Sequence, residues 1–321
     1  MPPRRTILGA AALAPFATAA RAETWPARPI RAVIGFVAGG GADITLRILA
    51  PRLSALLGQP VVVDNRPGGA GNLSNEIALR AAPDGYTLLV ATIGQMTVNP
   101  ALSKVTLDPV AEAAPISLLV QVTNLLVVPA DRPWRSVAEL VAAARARPGA
   151  LSYGSSSVGS AGHLAAAVLD QVAGIETVHI PYRGGGQLIT DLITGKVDFA
   201  FATAATTWPH VQTGRLRALA VPTAKRSTLL PDVPTIAESG VPGFDVVNWY
   251  GLAAPRATPA PIIATLQAAV QEALRDPEVL QKFAAQGLEP LPSSAEEFGA
   301  FLRAEAVRWA RVVRAAGIAS E

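Results

Sequence analysis

Two short stretches carry the residue types best suited to hold a small anion. The first is Phe36-Val37-Ala38-Gly39-Gly40-Gly41-Ala42-Asp43, where a β-rich run (Ile30–Phe36) meets an apolar-periodic helix. The second is Ser155-Ser156-Ser157-Val158-Gly159-Ser160, between the β-run Leu151–Gly154 and a helix that passes through His163. Helix N-termini present unpaired N–H groups with a partial positive charge, and glycine lets a ligand reach that backbone. One such end in each half of the chain implies a pincer for a small anion, with Ser hydroxyls as added donors. The competing reading is local: a tight turn with Asp43 as helix cap in the first, and Ser caps in the second.

Other strand ends add candidates. Pro181-Tyr182-Arg183-Gly184-Gly185-Gly186 brings a phenol, a guanidinium and more backbone donors to the same mouth. Arg183 is either a carboxylate partner or a solvated loop cation. Thr92 and Thr203 end two further strands and are expected to line the cleft. His163 sits in the first turn of its helix, either as a ligand contact or as local packing. With His179 and His210 it completes the histidines, and no close His/carboxylate set exists, so a metal site is not expected.

Several chemistries fail on spacing. Gly39–Asp43 is not G-x-G-x-x-G, because Ile44 stands where the third Gly belongs, and no Gly-Lys-Ser/Thr follows. Nucleotide binding is therefore unsupported, and no cofactor is expected. Gly154-Ser155-Ser156-Ser157-Val158 lacks the last Gly of a nucleophile elbow, which weakens an esterase acting through Ser156 or Ser157 and His163. The chain has no Cys, which excludes disulfides, thiolate ligands and a Cys nucleophile.

The 321 residues are 50% hydrophobic and 16% charged, so a packed core is expected. Arg4 and Arg5 precede the apolar run Ile7–Ala20, and Ala20-Arg21-Ala22 has the A-x-A form. These features predict a signal peptide over residues 1–22, cleaved near Ala22, and a periplasmic protein, by the general secretory or the twin-arginine route. Residues 1–22 hold three of the 27 basic residues and no acid, so the rest carries 24 basic against 24 acidic. That balance gives no nucleic-acid signal.

Strand and helix patterns alternate from Ile30 to Ala91 and again from Ser136 to Val221, and three helices close the chain. The order predicts an α/β fold with parallel sheets covered on both faces. Apolar extended segments near Val122–Pro129 and Asp245–Ala254 are expected to cross between two lobes. Residues 23–124 plus 248–321 would form lobe 1 and residues 125–247 lobe 2, with ligand between them at the carboxyl ends of the strands.

Taken in order, further pieces carry a family likeness. They are Trp25-Pro26-x-x-Pro29-Ile30-Arg31, Phe36…Gly39-Gly40-Gly41-x-Asp43, and Gly58-Gln59-Pro60-Val61-Val62-Val63-x-Asn65-Arg66-Pro67-Gly68. Next come Ala82-Pro83-Asp84-Gly85-Tyr86-Thr87-Leu88-Leu89, Asn99-Pro100, Gly159-Ser160-x-x-His163-Leu164 and Val178-His179-x-Pro181-Tyr182-Arg183-Gly184. Leu216–Val221, Leu230-Pro231-Asp232-Val233-Pro234-Thr235 and Trp309…Ala316-Gly317-Ile318 complete the series. From Trp25 to Ile318 the chain resembles the periplasmic solute-binding proteins of tripartite tricarboxylate transporters, the Bug family.

The resemblance implies a two-lobed, type II periplasmic-binding-protein-like fold without catalysis that closes on a small organic acid. It implies delivery of that acid to tripartite-transporter membrane subunits, by a monomer, with sensing for a membrane signalling system as the alternative. It assigns ligand contacts to Phe36, Gly39–Asp43, Ser155–Ser160 and His163. The chain departs from the usual pattern at Gly35, Val37 and Ala38, where relatives often have Pro. It departs again at Phe201-Ala202-Thr203-Ala204, where relatives often carry Asp or Asn. The small Ala202 and Ala204 suggest a bulkier or aromatic carboxylate.

Overall fold

The computed structural model describes residues 25–182 and 184–315. The expected signal peptide and Arg183 lie outside them. The first part of the chain supplies β1 (Ile30–Ile34), α1 (Gly41–Leu57), β2 (Val61–Asn65), α2 (Asn72–Leu79), β3 (Thr87–Thr92), α3 (Asn99–Leu102) and β4 (Ala113–Val122). The middle supplies β5 (Asn124–Pro129), α4 (Val137–Ala146), β6 (Ser152–Ser155), α5 (Ala161–Ala173), β7 (Val178–Pro181), α6 (Gly185–Ile193), β8 (Phe199–Thr203), α7 (Ala204–Gln212) and β9 (Leu216–Ala220). The last part supplies β10 (Asn248–Pro255), α8 (Ala260–Ala273), α9 (Pro277–Ala285), β11 (Leu288–Pro290) and α10 (Ala295–Ala315).

The strands form two sheets, ordered β11-β4-β10-β3-β1-β2 and β7-β6-β8-β5-β9. β1 runs parallel to β2 and β3, and β6 runs parallel to β7 and β8. The strands next to the crossings run the other way. β10 lies antiparallel between β3 and β4, and β5 lies antiparallel between β8 and β9. Both sheets are therefore mixed, where the alternating pattern predicts parallel ones. A strand arriving from the opposite sheet has no crossover helix to set its direction, so it enters reversed. Continuous apolar runs do not report that sense.

The first change of sheet falls at one residue, Thr123, just before Asn124 opens β5. Its N–H donates to the Gly287 carbonyl, and its own carbonyl accepts from the Ala204 N–H. Beside it the Glu289 carboxylate of β11 accepts from the hydroxyls of Thr123, Ser227 and Thr228. The junction is thus bonded to both sheets.

Closely fitted glycines seat two of the helices. A Cβ on Gly251 of β10 would lie 2.3 Å from the ring of Phe298 in α10, and one on Gly162 of α5 would lie 2.3 Å from the Phe201 carbonyl oxygen of β8. Backbone-close packing of this kind needs Gly. Phe298 and Trp309 of α10 are fully buried, and one apolar cluster runs from them through Met96 and Trp249 to Leu126, Phe199 and Phe201. The two sheets therefore share a core on that side. α3, α7 and β11 do not stand out in the sequence. α7 carries Thr206, Thr207 and Pro209, which blur its helical period.

Candidate functional site

The first loop leaves β1 at Gly35, where a Cβ would lie 2.5 Å from Ser74 Oγ and 2.8 Å from Gly71 Cα. This tight passage explains a residue without a side chain ahead of Phe36. Gly39 has φ of +82°, which favours glycine, and the chain then enters α1 with Gly40 as its first capping residue. No side chain caps α1, so the N–H groups of its first turn are left to other partners.

Asp43 is 2% exposed and turns inward. Its carboxylate accepts from the Gly39 N–H at 2.9 Å, from Arg47 Nε at 2.8 Å and from Asn65 Nδ2 at 3.0 Å. Asn65 Nδ2 also donates to the Phe36 carbonyl at 3.1 Å. The expected ligand contact at Asp43 is thus a brace that folds the loop back on α1. Burial pushes this carboxyl up, but the bonds from Arg47, Gly39 and Asn65 outweigh it and hold it below the usual range.

Asp43→Ala removes three bonds to a charged acceptor and is expected to cost about 2 kcal/mol at pH 7, read by urea unfolding. A depressed carboxyl contributes stability above its unfolded value of 3.8, lost as pH falls through the lower folded value. The deficit of the variant should therefore shrink in acid. A deficit equal at pH 7 and pH 2 would sink the bracing role.

The second loop follows β6. Ser160 caps α5 by accepting the His163 N–H, so that hydroxyl is engaged. Ser155 is fully buried, donates to the Ser157 carbonyl at 2.9 Å and lies 2.7 Å from His179 Nε2. Gly159 has φ of +73°, and its N–H donates to His163 Nδ1 at 3.0 Å. His163 is 5% exposed and stacks on His179 with ring centres 3.9 Å apart, Tyr153 flanking both. Burial, then the charge His179 would share, pushes His163 down to about 4.

Ser155, Ser160 and His163 thus shape the loop from within, where the resemblance implied ligand contacts. Ser156 is half-buried and Ser157 exposed, and neither bonds to His163 among the described residues. The hydrolase pairing is absent there, and the Ser–His pair that does form joins the buried Ser155 to the half-buried His179 of edge strand β7.

The remaining candidates divide. Tyr182 turns its hydroxyl to Asp191 of α6 at 3.1 Å, and Thr203 pairs with Thr206 in the first turn of α7. Thr92 is buried with its hydroxyl unpartnered. Ala202 and Ala204 pack into the core of the second sheet with Val127 and Leu188, so they give no ground for a bulkier ligand. Among the described residues no group of three or more His, Cys, Asp or Glu is arranged to hold a metal ion.

A Cβ on Gly94, just past β3, would lie 3.3 Å from the Gly159 carbonyl, and one on Gly159 would lie 3.5 Å from Asn99 Oδ1. The second cradle thus sits against the helical turns that follow the first sheet. Asn65 and Asn99 stand in the family motifs, but the sequence reading gives neither a role in shaping these loops.

Comparison with known proteins fits this arrangement. Residues 45–318 match the profile of the tripartite tricarboxylate transporter family receptor, TctC. The chain belongs to the TctC family. It is 35% identical to protein BugT of Bordetella pertussis over 311 residues, 95% of this chain and 94% of BugT. Among solved structures, Rpa4515 of R. palustris with adipate is 37% identical at a TM-score of 0.82, covering 92% of this chain and 99% of that one. MatC of Rhodopseudomonas palustris with bound malate is 29% identical at 0.79, covering 90% and 100%. TctC proteins are periplasmic solute-binding receptors, and the mixed two-sheet fold of this chain is the TctC fold. Among the described residues, no helix of this TctC chain is long and apolar enough to cross a membrane.

Proposed function

We propose that this TctC receptor captures a small organic acid between two lobes and hands it to the membrane subunits of a tripartite transporter. The lobes are residues 23–124 plus 248–321 and residues 125–247, and residues 1–22 direct export. The observation that carries the reading is the uncapped N-terminus of α1, which touches Tyr250 opposite Thr92 of β3, together with a second glycine- and serine-lined helix start that lies against Gly94 just past the same strand. Helix ends and amides neutralise a carboxylate without a cation in the site. The uncapped N–H groups of Gly41 and Ala42, with Phe36 beside them and Gly39 and Gly40 shaping the turn, form one jaw. Ser156 and Ser157 form the other, on a loop whose turn Gly159 holds through its bond to His163. Adipate and malate, held by two similar proteins, support an acid of that size. Both jaws come from one chain, so a single copy suffices to hold the ligand.

Closure follows from tighter binding to the closed form. The purified chain should bind at least one of adipate, malate, citrate or benzoate in calorimetry, one acid per chain, with a higher melting midpoint. If none of these acids binds at millimolar concentration, the reading falls. Deleting the gene should then lower uptake of the acid that binds. Unchanged uptake with an altered transcriptional response to that acid would instead mark a sensor.

A further inference from the structure

Beneath the first loop, β10 places Tyr250 directly opposite Thr92 of β3. Paired residues share a face, and here it is the face of Val90 and Leu252, which packs under Leu46 and Leu49 of α1. Tyr250 rises from that face to the first residue of α1. A Cβ built on Gly41 would lie 2.4 Å from the Tyr250 hydroxyl oxygen and 3.2 Å from its Cζ. The phenol is therefore lodged at the uncapped helix end, and Gly41 is what lets it in.

Neither hydroxyl is used by the fold. Thr92 is 4% exposed, and its Oγ1 has no hydrogen-bond partner. Tyr250 is half-buried, and its hydroxyl has no partner among the described residues. A buried hydroxyl left unpaired destabilises a fold, and most are satisfied. The buried Thr92 hydroxyl and the half-buried Tyr250 hydroxyl on the facing residue, at a helix end with free N–H groups, form a polar floor for an acceptor.

We propose that Tyr250 and Thr92 contact the ligand, donating their hydroxyls to the acid group seated on the N-terminus of α1. This rests on the carboxylate-receptor reading above and adds the residues that select the acid. A carboxylate offers about four lone-pair sites. The α1 N–H groups take those facing the helix, and the two hydroxyls take those facing the sheet. Burial pushes Tyr250 up to about 12, so the phenol keeps its proton at neutral pH and is a donor without charge. An amide presents N–H donors where a carboxylate presents a second oxygen, so this floor favours the free acid over its amide.

The test is calorimetry on the full chain with adipate, malate, citrate and benzoate, followed by Tyr250→Phe and Thr92→Val with whichever acid binds. Tyr250→Phe should weaken that acid by about tenfold, as expected for losing a hydrogen bond to a charged group, and Thr92→Val by about threefold. The ligand-free melting midpoints should not fall, and that of Thr92→Val should hold or rise, since it removes a buried unpaired hydroxyl. For the monoamide of a diacid, the Tyr250→Phe loss should persist at the acid end and vanish at the amide end. Equal affinity of Tyr250→Phe and wild type overturns the proposal while leaving the receptor reading intact. Failure of every acid to bind wild type overturns both. A crystal structure of the complex supplies a second measure: Tyr250 Oη about 3 Å from a ligand oxygen supports the contact, and a gap beyond hydrogen-bond reach overturns it.

Discussion

Gly162→Ala is expected to cost about 2 kcal/mol of stability and to weaken ligand binding with it. The new methyl would lie 2.3 Å from the Phe201 carbonyl oxygen, a backbone atom of β8 that cannot swing aside. α5 must lift from the sheet, at a cost of about 3 kcal/mol because the clash is with backbone, against a gain of about 1 kcal/mol from alanine's better helix propensity. The displaced turn carries Ser160, its cap bond to His163 and the second cradle, so the same shift misplaces the jaw. Gly185→Ala is the control, since nothing lies within 4 Å of a Cβ there. Urea unfolding and calorimetry on both variants read the result. A Gly162→Ala chain as stable as Gly185→Ala would show that α5 is free to yield.

The second large effect is a pair of opposed pH dependences around the stacked histidines. His163 is held down to about 4 in the folded chain, from 6.5. The unfolded chain takes up a proton below 6.5, which the folded chain refuses until about 4. This contribution is complete above 6.5 and lost as pH falls toward 4, by about 3 kcal/mol. Asp170, which accepts from the Thr177 hydroxyl and N–H, is pushed by burial up to about 6, from 3.8. Its folded form holds a proton that the unfolded chain releases, so its burden is relieved as pH falls from 6 toward 3.8.

The two trends offset each other in wild type, and single variants expose them. His163→Gln keeps an acceptor for the Gly159 N–H and should gain on wild type as pH falls from 7 to 4. Asp170→Asn should lose on wild type over the same range. Parallel stability curves for all three proteins, measured by urea unfolding, would show that neither group titrates as its burial dictates.

The loops were legible because Gly and Ser runs between a β-run and a helical period have few other uses. Their inner wiring was not. Ser155 and His163 read as ligand contacts because polar residues in a mobile-looking loop suggest exposure. Their burial follows from the register of β6 on β7, which pairs Tyr153 with His179 and builds the aromatic stack. Tyr250 was invisible for a like reason. Only the antiparallel pairing of β10 with β3 brings it opposite Thr92, and no local pattern encodes that partner. Asp43 was legible as a helix-start residue, but its bond to Asn65 depends on β2 lying beside β1. The two-lobe layout was readable from the extended apolar segments, whereas strand direction was not.

The place of β10 also sets an order of assembly. Every strand of the second sheet comes from residues 124–220, so that sheet can close once its own stretch has emerged. The first sheet cannot. β3 and β4 do not touch, because the slot between them belongs to β10, made from residues 248–255. Until then, two apolar inner strands stand with open edges, the condition that invites pairing with other chains. Non-local closure of this kind is slow. The lobe that begins first at the ribosome is the one completed last, and a chain truncated before Asn248 keeps four of the six strands of its first sheet, with β4 cut off from the other three, beside a finished second sheet.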